Sequence, residues 1–225
     1  KFIIPVAQVG EQTFYTFAEA AAAAQADSEI KLLANIEGDI TVPANVTLNG
    51  NDFAISGAIT ADGTITFAGV TKAGNFGVKN VNTVVNIPAG ASLQLTGTGR
   101  MVIGHGCTFN ITGSIADNAA KTADKATLTP SLVMPGASFT GAGVTFNVTN
   151  AYISAPSSYC SSSKSASGTF DFNITNSIWD SAGKLAFEAQ STAAKVDFSL
   201  VNSVLTTGSH LVFATASGEE GVVID

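Results

Sequence analysis

The chain has 225 residues, of which only 12% are charged, against roughly 25% in an average soluble domain. Its net charge is −7 with a single arginine, Arg100, which excludes the clustered basic surface that nucleic acid or an anionic membrane face would require. No stretch reaches the roughly 18 apolar residues of a helical membrane span, so no membrane insertion is expected. Hydrophobic residues make up 45%, with 14 Phe and 22 Gly. Ser, Thr, Asn and Gly must therefore cover the surface. Thr, Val, Ile and Phe favour a pleated backbone, so the expected class is all-β.

Residues 1–35 read as an N-terminal cap. Val6-Ala7-Gln8-Val9 is a short strand and Gly10-Glu11 a turn. Thr16 followed three positions later by Glu19 is a capping box, and Ala20 onward supplies strong helix formers. One short capping helix is predicted over 17–26, held by Phe14 and Phe17. The next strand is Ile30-Lys31-Leu32-Leu33.

From residue 36 to 225 the chain repeats. Val42-Pro43-Ala44-Asn45-Val46-Thr47-Leu48 resembles Ile87-Pro88-Ala89-Gly90-Ala91-Ser92-Leu93, and Met134-Pro135-Gly136-Ala137-Ser138-Phe139 is a shorter version. Proline fixes φ and cannot sit in a central strand, so these are corners. The first two prolines lie 45 positions apart, which predicts two turns of about 23. A second phrase returns four times: Thr108-Phe109-Asn110-Ile111-Thr112, Thr145-Phe146-Asn147-Val148-Thr149, Asp171-Phe172-Asn173-Ile174-Thr175 and Asp197-Phe198-Ser199-Leu200-Val201. Its central phenylalanines are separated by 37, 26 and 26 positions, and a polar insertion over 117–125 accounts for the longer interval.

Three short strands per 23 to 26 residues is the signature of a β-solenoid, whose coils bury a continuous core only by stacking. Phe146, Phe172 and Phe198 should form one buried column. A β-sandwich also has many short strands, but it gives no reason for one phrase to return at a fixed 26. The predicted architecture is a single domain over 1–225, a single-stranded right-handed parallel β-helix with a short N-terminal capping helix. The chain ends in strand-like Gly221-Val222-Val223-Ile224-Asp225. An uncapped solenoid end exposes strand edges, so either further domains of a longer protein are expected, or an irregular turn or a partner over that end.

These motifs resemble a known family. Val6-Ala7-Gln8-Val9-Gly10, the aromatics Phe14 and Tyr15, then Phe17-Ala18-Glu19-Ala20 are similar to the lead-in of surface proteins of gut Bacteroidetes and Firmicutes with a pectate-lyase-like right-handed parallel β-helix. The Pro-Ala-Gly-Ala corner and the Asn-Ser turn resemble that superfamily's coil motifs. The resemblance implies that Asn150, Asn176 and Asn202 form an interior asparagine ladder. It also implies a bacterial protein, secreted or at the cell surface. No signal peptide is visible and the sequence starts at Lys1 without Met, so a removed export segment is expected ahead of it. Members include lyases, glycoside hydrolases and adhesins, so the fold alone does not choose among them.

The chemical inventory is thin. Arg100 has no acid near it in sequence, unlike the basic residue beside a calcium cluster in pectate-type lyases. Asp171 and Asp197 share a repeat phase and should face outward on neighbouring coils, about 4.8 Å apart. Such a pair would repel, raise one pKa or hold a cation such as calcium. They are also the best carboxylate pair for glycoside hydrolysis, with Asp180 and Glu188 as further acids. His105 and His210 lack zinc spacing. Cys107 and Cys160 differ in phase, so two free thiols are expected. Alternation places Ile178 inside and Trp179 outside, where a Trp beside Asp180 could stack on a sugar ring. The serine-rich stretch 155–168, with Tyr159, is the longest break in the pattern and a second candidate binding element. Asn45, Asn110, Asn147 and Asn173 each begin an Asn-x-Thr sequon, a pattern that outward Asn and Thr produce readily. The expected function is a non-catalytic surface module, an adhesin or glycan-binding scaffold without a bound cofactor. Its expected partner is a host or dietary polysaccharide. The alternative is a polysaccharide lyase or glycoside hydrolase.

Overall fold

A computed structural model describes residues 3–96, 101–103, 106–113, 115–116, 119–139, 141–156, 158–162 and 164–216. Its strands fall into two sheets, one of 10 strands and one of 13. The first sheet opens with an antiparallel hairpin, Ala7–Val9 and Gln12–Phe14. The hairpin pairs antiparallel with Glu29–Leu32. From there all pairing is parallel: Val46–Asn49, Ile65–Ala68, Val84–Ile87, Cys107–Thr112, Ala142–Thr149, Ser167–Thr175 and Ala194–Val201 follow in chain order. These form a first column.

The second sheet holds two more columns. One runs through residues 54–55, 70–73, Ser92–Leu95, Leu132–Val133, Tyr152–Ala155, Ile178–Ser181 and Val204–Thr207. The other runs through Ile40–Pro43, residues 58–61, 75–78, Met101–Ile103, Ala137–Phe139, Ser158–Ser162, Leu185–Ala189 and Leu211–Thr215. Ala54–Asp62 and Val70–Val78 each run from the second column into the third, which joins the two into one sheet. The chain visits the columns in a fixed order. Stacked, largely parallel sheets of this kind are compatible with a β-solenoid.

One buried cluster reaches from Ala7 to Phe198 between the columns. Alternation along each strand builds it, because Phe170, Phe172 and Ile174 face in while Asp171 and Asn173 face out. Phe109, Phe146, Phe172 and Phe198 stand in register, with ring centroids 4.7, 5.5 and 6.1 Å apart. Phe187 and Phe213 form a second stack at 5.5 Å.

The corners show why a local phrase could repeat while coil length varied. Register steps in the first column are 18, 19 and 20 residues for the early coils and 26 for the last two. The predicted 23-residue turns between Pro43 and Pro88 are therefore not present. Pro43 precedes a first-column strand, Pro88 precedes a second-column strand, and Pro135 precedes a third-column strand. Proline suits any corner, so its recurrence does not measure the period.

The first column already includes Glu29–Leu32, so coils begin before the predicted cap boundary at residue 35. The helix is Phe17–Ala23, with both halves of the Thr16–Glu19 capping box formed. It is shorter than predicted because Ala24 is extended and Asp27 has φ 66. The serine-rich stretch is not the longest break either. Ser158–Ser162 is a third-column strand, and the main interruption lies between Thr112 and Leu132.

Candidate ligand-binding face

The sequence placed a sugar-stacking Trp179 on the surface. The structure overturns this. Trp179 is fully buried and packs against Phe146, Phe172 and Phe187. Ile178 instead points out of the coil. The reason is the corner at Asn176, whose left-handed backbone (φ 48) interrupts the strand. Alternation does not carry across such a turn, and Ile174 and Trp179, an odd step apart, both face in.

Ile178 and Tyr152, although outside the coil, are covered. The segment after Thr112 folds back over the second column, placing Ile115 and Ala120 on Tyr152 and Ile178, with Ala119, Ala123 and Leu128 beside them. Asp124 caps a short 3-10 turn, Lys125–Thr127. From it Lys125 Nζ donates to Asp180 Oδ1 at 2.6 Å and reaches Thr206 Oγ1 at 3.3 Å. Thr206 also donates to Asp180. Asp180 is thus the anchor of a strap, and its oxygen is already taken.

Partial burial pushes the Asp180 carboxyl up, but hydrogen bonds from Lys125 and Thr206 and the lysine charge outweigh it and hold the group below its ordinary range. Its contribution to folding is therefore present above the ordinary carboxylate pKa and lost as pH falls through the depressed one. Lys125 is 41% exposed, so solvent screening limits the pair to about 1 kcal/mol. Lys125→Ala should cost no more than about that and should speed amide exchange across 119–128 before any other region.

Tyr159 lies in Ser158–Ser162, and its side chain falls outside the described residues, as do Arg100 and His105. His210 is exposed, with Ser209 Oγ 2.6 Å from its Nδ1. Glu188 is paired with Lys184 at 3.0 Å. Cys107 and Cys160 are both buried and are not joined in a disulfide. Asn150, Asn176 and Asn202 occupy left-handed corner positions, with φ of 50, 48 and 48. Asn202 Nδ2 donates to Asn176 Oδ1 at 2.8 Å, while the buried Asn150 Oδ1 has no hydrogen-bond partner among the described residues.

Asp171 and Asp197 stand opposite each other on adjacent first-column strands. Thr145 Oγ1 donates to Asp171 Oδ2 at 3.3 Å. Burial pushes the Asp171 carboxyl up, the Thr145 hydrogen bond opposes this, and repulsion from Asp197 adds to it. The folded chain therefore holds this proton more tightly than the unfolded chain, and the pair weakens folding as pH rises through the raised value. Asp171→Asn should gain stability relative to wild type between acid and neutral pH in urea titrations. Among the described residues, no group of three or more His, Cys, Asp or Glu stands together in a way that could hold a metal ion.

A feature the sequence reading missed runs beside this pair. Asn173 Nδ2 donates to Asn147 Oδ1 at 3.1 Å, Asn147 to Asn110 at 3.0 Å, Asn110 to Asn86 at 3.0 Å, and Asn86 to Thr66 Oγ1 at 3.4 Å. In register with Thr66 is Thr47, and opposite Thr47 is Glu29. The outer face of the first column thus carries one continuous polar row along the stack. The signal was available: Asn returns at the same place in three of the four aligned phrases, where it was placed outside but its bonding from strand to strand was not drawn.

At the N-terminal end of the row the surface is hollowed. One hollow of about 350 Å³ is lined by Gln8, Gly10, Ser28, Glu29 and Lys31. A smaller one of about 170 Å³ is lined by Asp27, Asn45, Val46, Thr47, Thr64 and Thr66.

No protein-family model, curated protein or solved structure matches the chain. Among the described residues no helix is long and apolar enough to cross a membrane.

Proposed function

We propose that the chain is a right-handed parallel β-helix of pectate-lyase-like type, a non-catalytic module of a bacterial secreted or cell-surface protein. On this reading it holds a neutral polysaccharide along the outer face of its first column, and further domains of the same protein complete it. The hydrogen-bonded amide row from Asn86 to Asn173 is the observation that carries this reading. Each amide spends one N–H on its neighbour and keeps a second donor and a lone pair for a ligand. The neighbours fix the side chains in advance, so ligand binding costs little ordering entropy. Strands repeat at roughly 4.8 Å, so the row offers a polymer the same pair of groups at each step. Asp171, Asp197 and Glu29 border the row, and the chain carries −7 overall. An anionic polymer would be repelled, which favours neutral sugars.

The enzyme reading has one observation in its favour. A raised Asp171 carboxyl faces Asp197 across a strand spacing near the roughly 5–5.5 Å of retaining glycosidases. Affinity electrophoresis in gels containing galactomannan, xyloglucan or polygalacturonate, with reducing-sugar assays alongside, separates the two. Retardation by a neutral polymer without product, weakened roughly tenfold by Thr145→Arg (about 1.4 kcal/mol), supports the module. Product release that Asp171→Asn abolishes, or retention by polygalacturonate alone, overturns it.

A further inference from the structure

We infer that the hollow of Gln8, Gly10, Ser28, Glu29 and Lys31 is a subsite for the terminal hexose of a neutral glycan. The inference rests on the polysaccharide-binding reading of the first column and adds where the polymer stops. The hollow lies at the N-terminal end of the polar row, where Glu29 faces Thr47 and Lys31 faces Asn49. On its other side Lys31 faces Gln8 of the hairpin. That hairpin is the last element of the column at this end among the described residues. The hairpin pairs antiparallel, so the parallel repeat of the row stops at Glu29–Leu32, and a polymer that follows the repeat meets the hairpin with its end.

The chemistry of the lining selects a neutral polyol. Glu29 and Lys31 project from the same strand face, one residue between them, and Glu29 accepts from Asn49 Nδ2 at 3.3 Å. Lys31 enters no ion pair and its ammonium makes no hydrogen bond with any described residue. Gln8 uses its Nε2 on Gly10 O at 2.7 Å, which holds the amide in place and leaves its carbonyl oxygen to accept. A carboxylate ligand would gain Lys31 but meet Glu29. A cation would gain Glu29 but meet Lys31. Vicinal hydroxyls, each donor and acceptor, satisfy both signs at once. The volume, about 350 Å³, is at the small end of ligand sites and suits one ring rather than several.

The test uses the full chain, labelled with ¹⁵N, titrated separately with D-glucose, D-galactose and D-mannose. Sodium acetate and methylammonium chloride serve as charged controls. At least one hexose should bind with amide shifts centred on residues 8, 10, 28, 29 and 31, and Lys31→Ala and Gln8→Ala should each weaken it fivefold or more. Neither substitution touches the core, so both variants should keep the wild-type spectrum elsewhere. No hexose binding, binding unaffected by both variants, or stronger binding of either charged control overturns the inference. Loss of polymer retention in Thr145→Arg with hexose binding intact separates the two sites. If the wild-type chain binds a hexose here but retains no polymer, the reading of the row fails while the subsite stands.

Discussion

Phe172→Ala is expected to lower the unfolding free energy by about 3–5 kcal/mol. Phe172 is 1% exposed and packs against Phe146, Trp179, Phe187 and Phe198, with ring centroids 4.7 to 6.3 Å away. Its backbone is held on both sides by parallel pairing to strands carrying Phe146 and Phe198. Those ladders fix the coil spacing, so the neighbours cannot close the void, and the cost should sit toward the upper end of that range. Urea unfolding followed by far-UV circular dichroism measures it. Tyr15→Ala, at a residue 54% exposed, is the control and should stay within about 0.5 kcal/mol of wild type.

The second large effect concerns the strap. Ile178→Asp should cost about 3 kcal/mol, or release the strap altogether, because the new carboxylate would lie beneath Ile115 and Ala120 without a partner. Ile178 is 2% exposed despite lying outside the coil. Val204, its register neighbour on the next coil, is only partly covered, so Val204→Asp should cost less than about 1 kcal/mol. Hydrogen exchange distinguishes the two outcomes for Ile178→Asp. Release of the strap accelerates residues 119–128 alone, whereas global destabilisation also accelerates Ser167–Thr175. An Ile178→Asp protein as stable and as protected as wild type would show that the strap does not cover this position.

These two residues also mark what the sequence could and could not reveal. The Phe-x-Asn phrase was legible because one strand is a local unit of period two, and 26-residue coils repeat it unchanged. Trp179 was not legible, because its facing depends on the backbone at Asn176 rather than on alternation. The strap looked like a polar insertion, since its few apolar residues, Ile115, Ala120 and Leu128, gain meaning only against Tyr152 and Ile178. The early coils escaped notice because steps of 18 to 20 residues leave room for little beyond three strands and their corners. The candidate face was half visible. Asp171 and Asp197 followed from repeat phase, and the amide row was present in the same phrases. The hollow depends on the hairpin pairing with Glu29–Leu32, which no spacing along the chain announces.

Everything proposed for the first column requires that equivalent residues lie opposite one another from coil to coil. Paired cysteines test this most directly, since adjacent positions in register lie within disulfide reach while positions two residues off do not. Native Cys107 and Cys160 are buried and should not compete. Under mild oxidation, Asn147→Cys with Asn173→Cys, and Asn173→Cys with Ser199→Cys, should cross-link in the folded protein. Asn147→Cys with Thr175→Cys should remain reduced. Cross-linking of that offset pair in place of the two aligned ones would contradict the register, and with it the polar row on which the binding proposal stands.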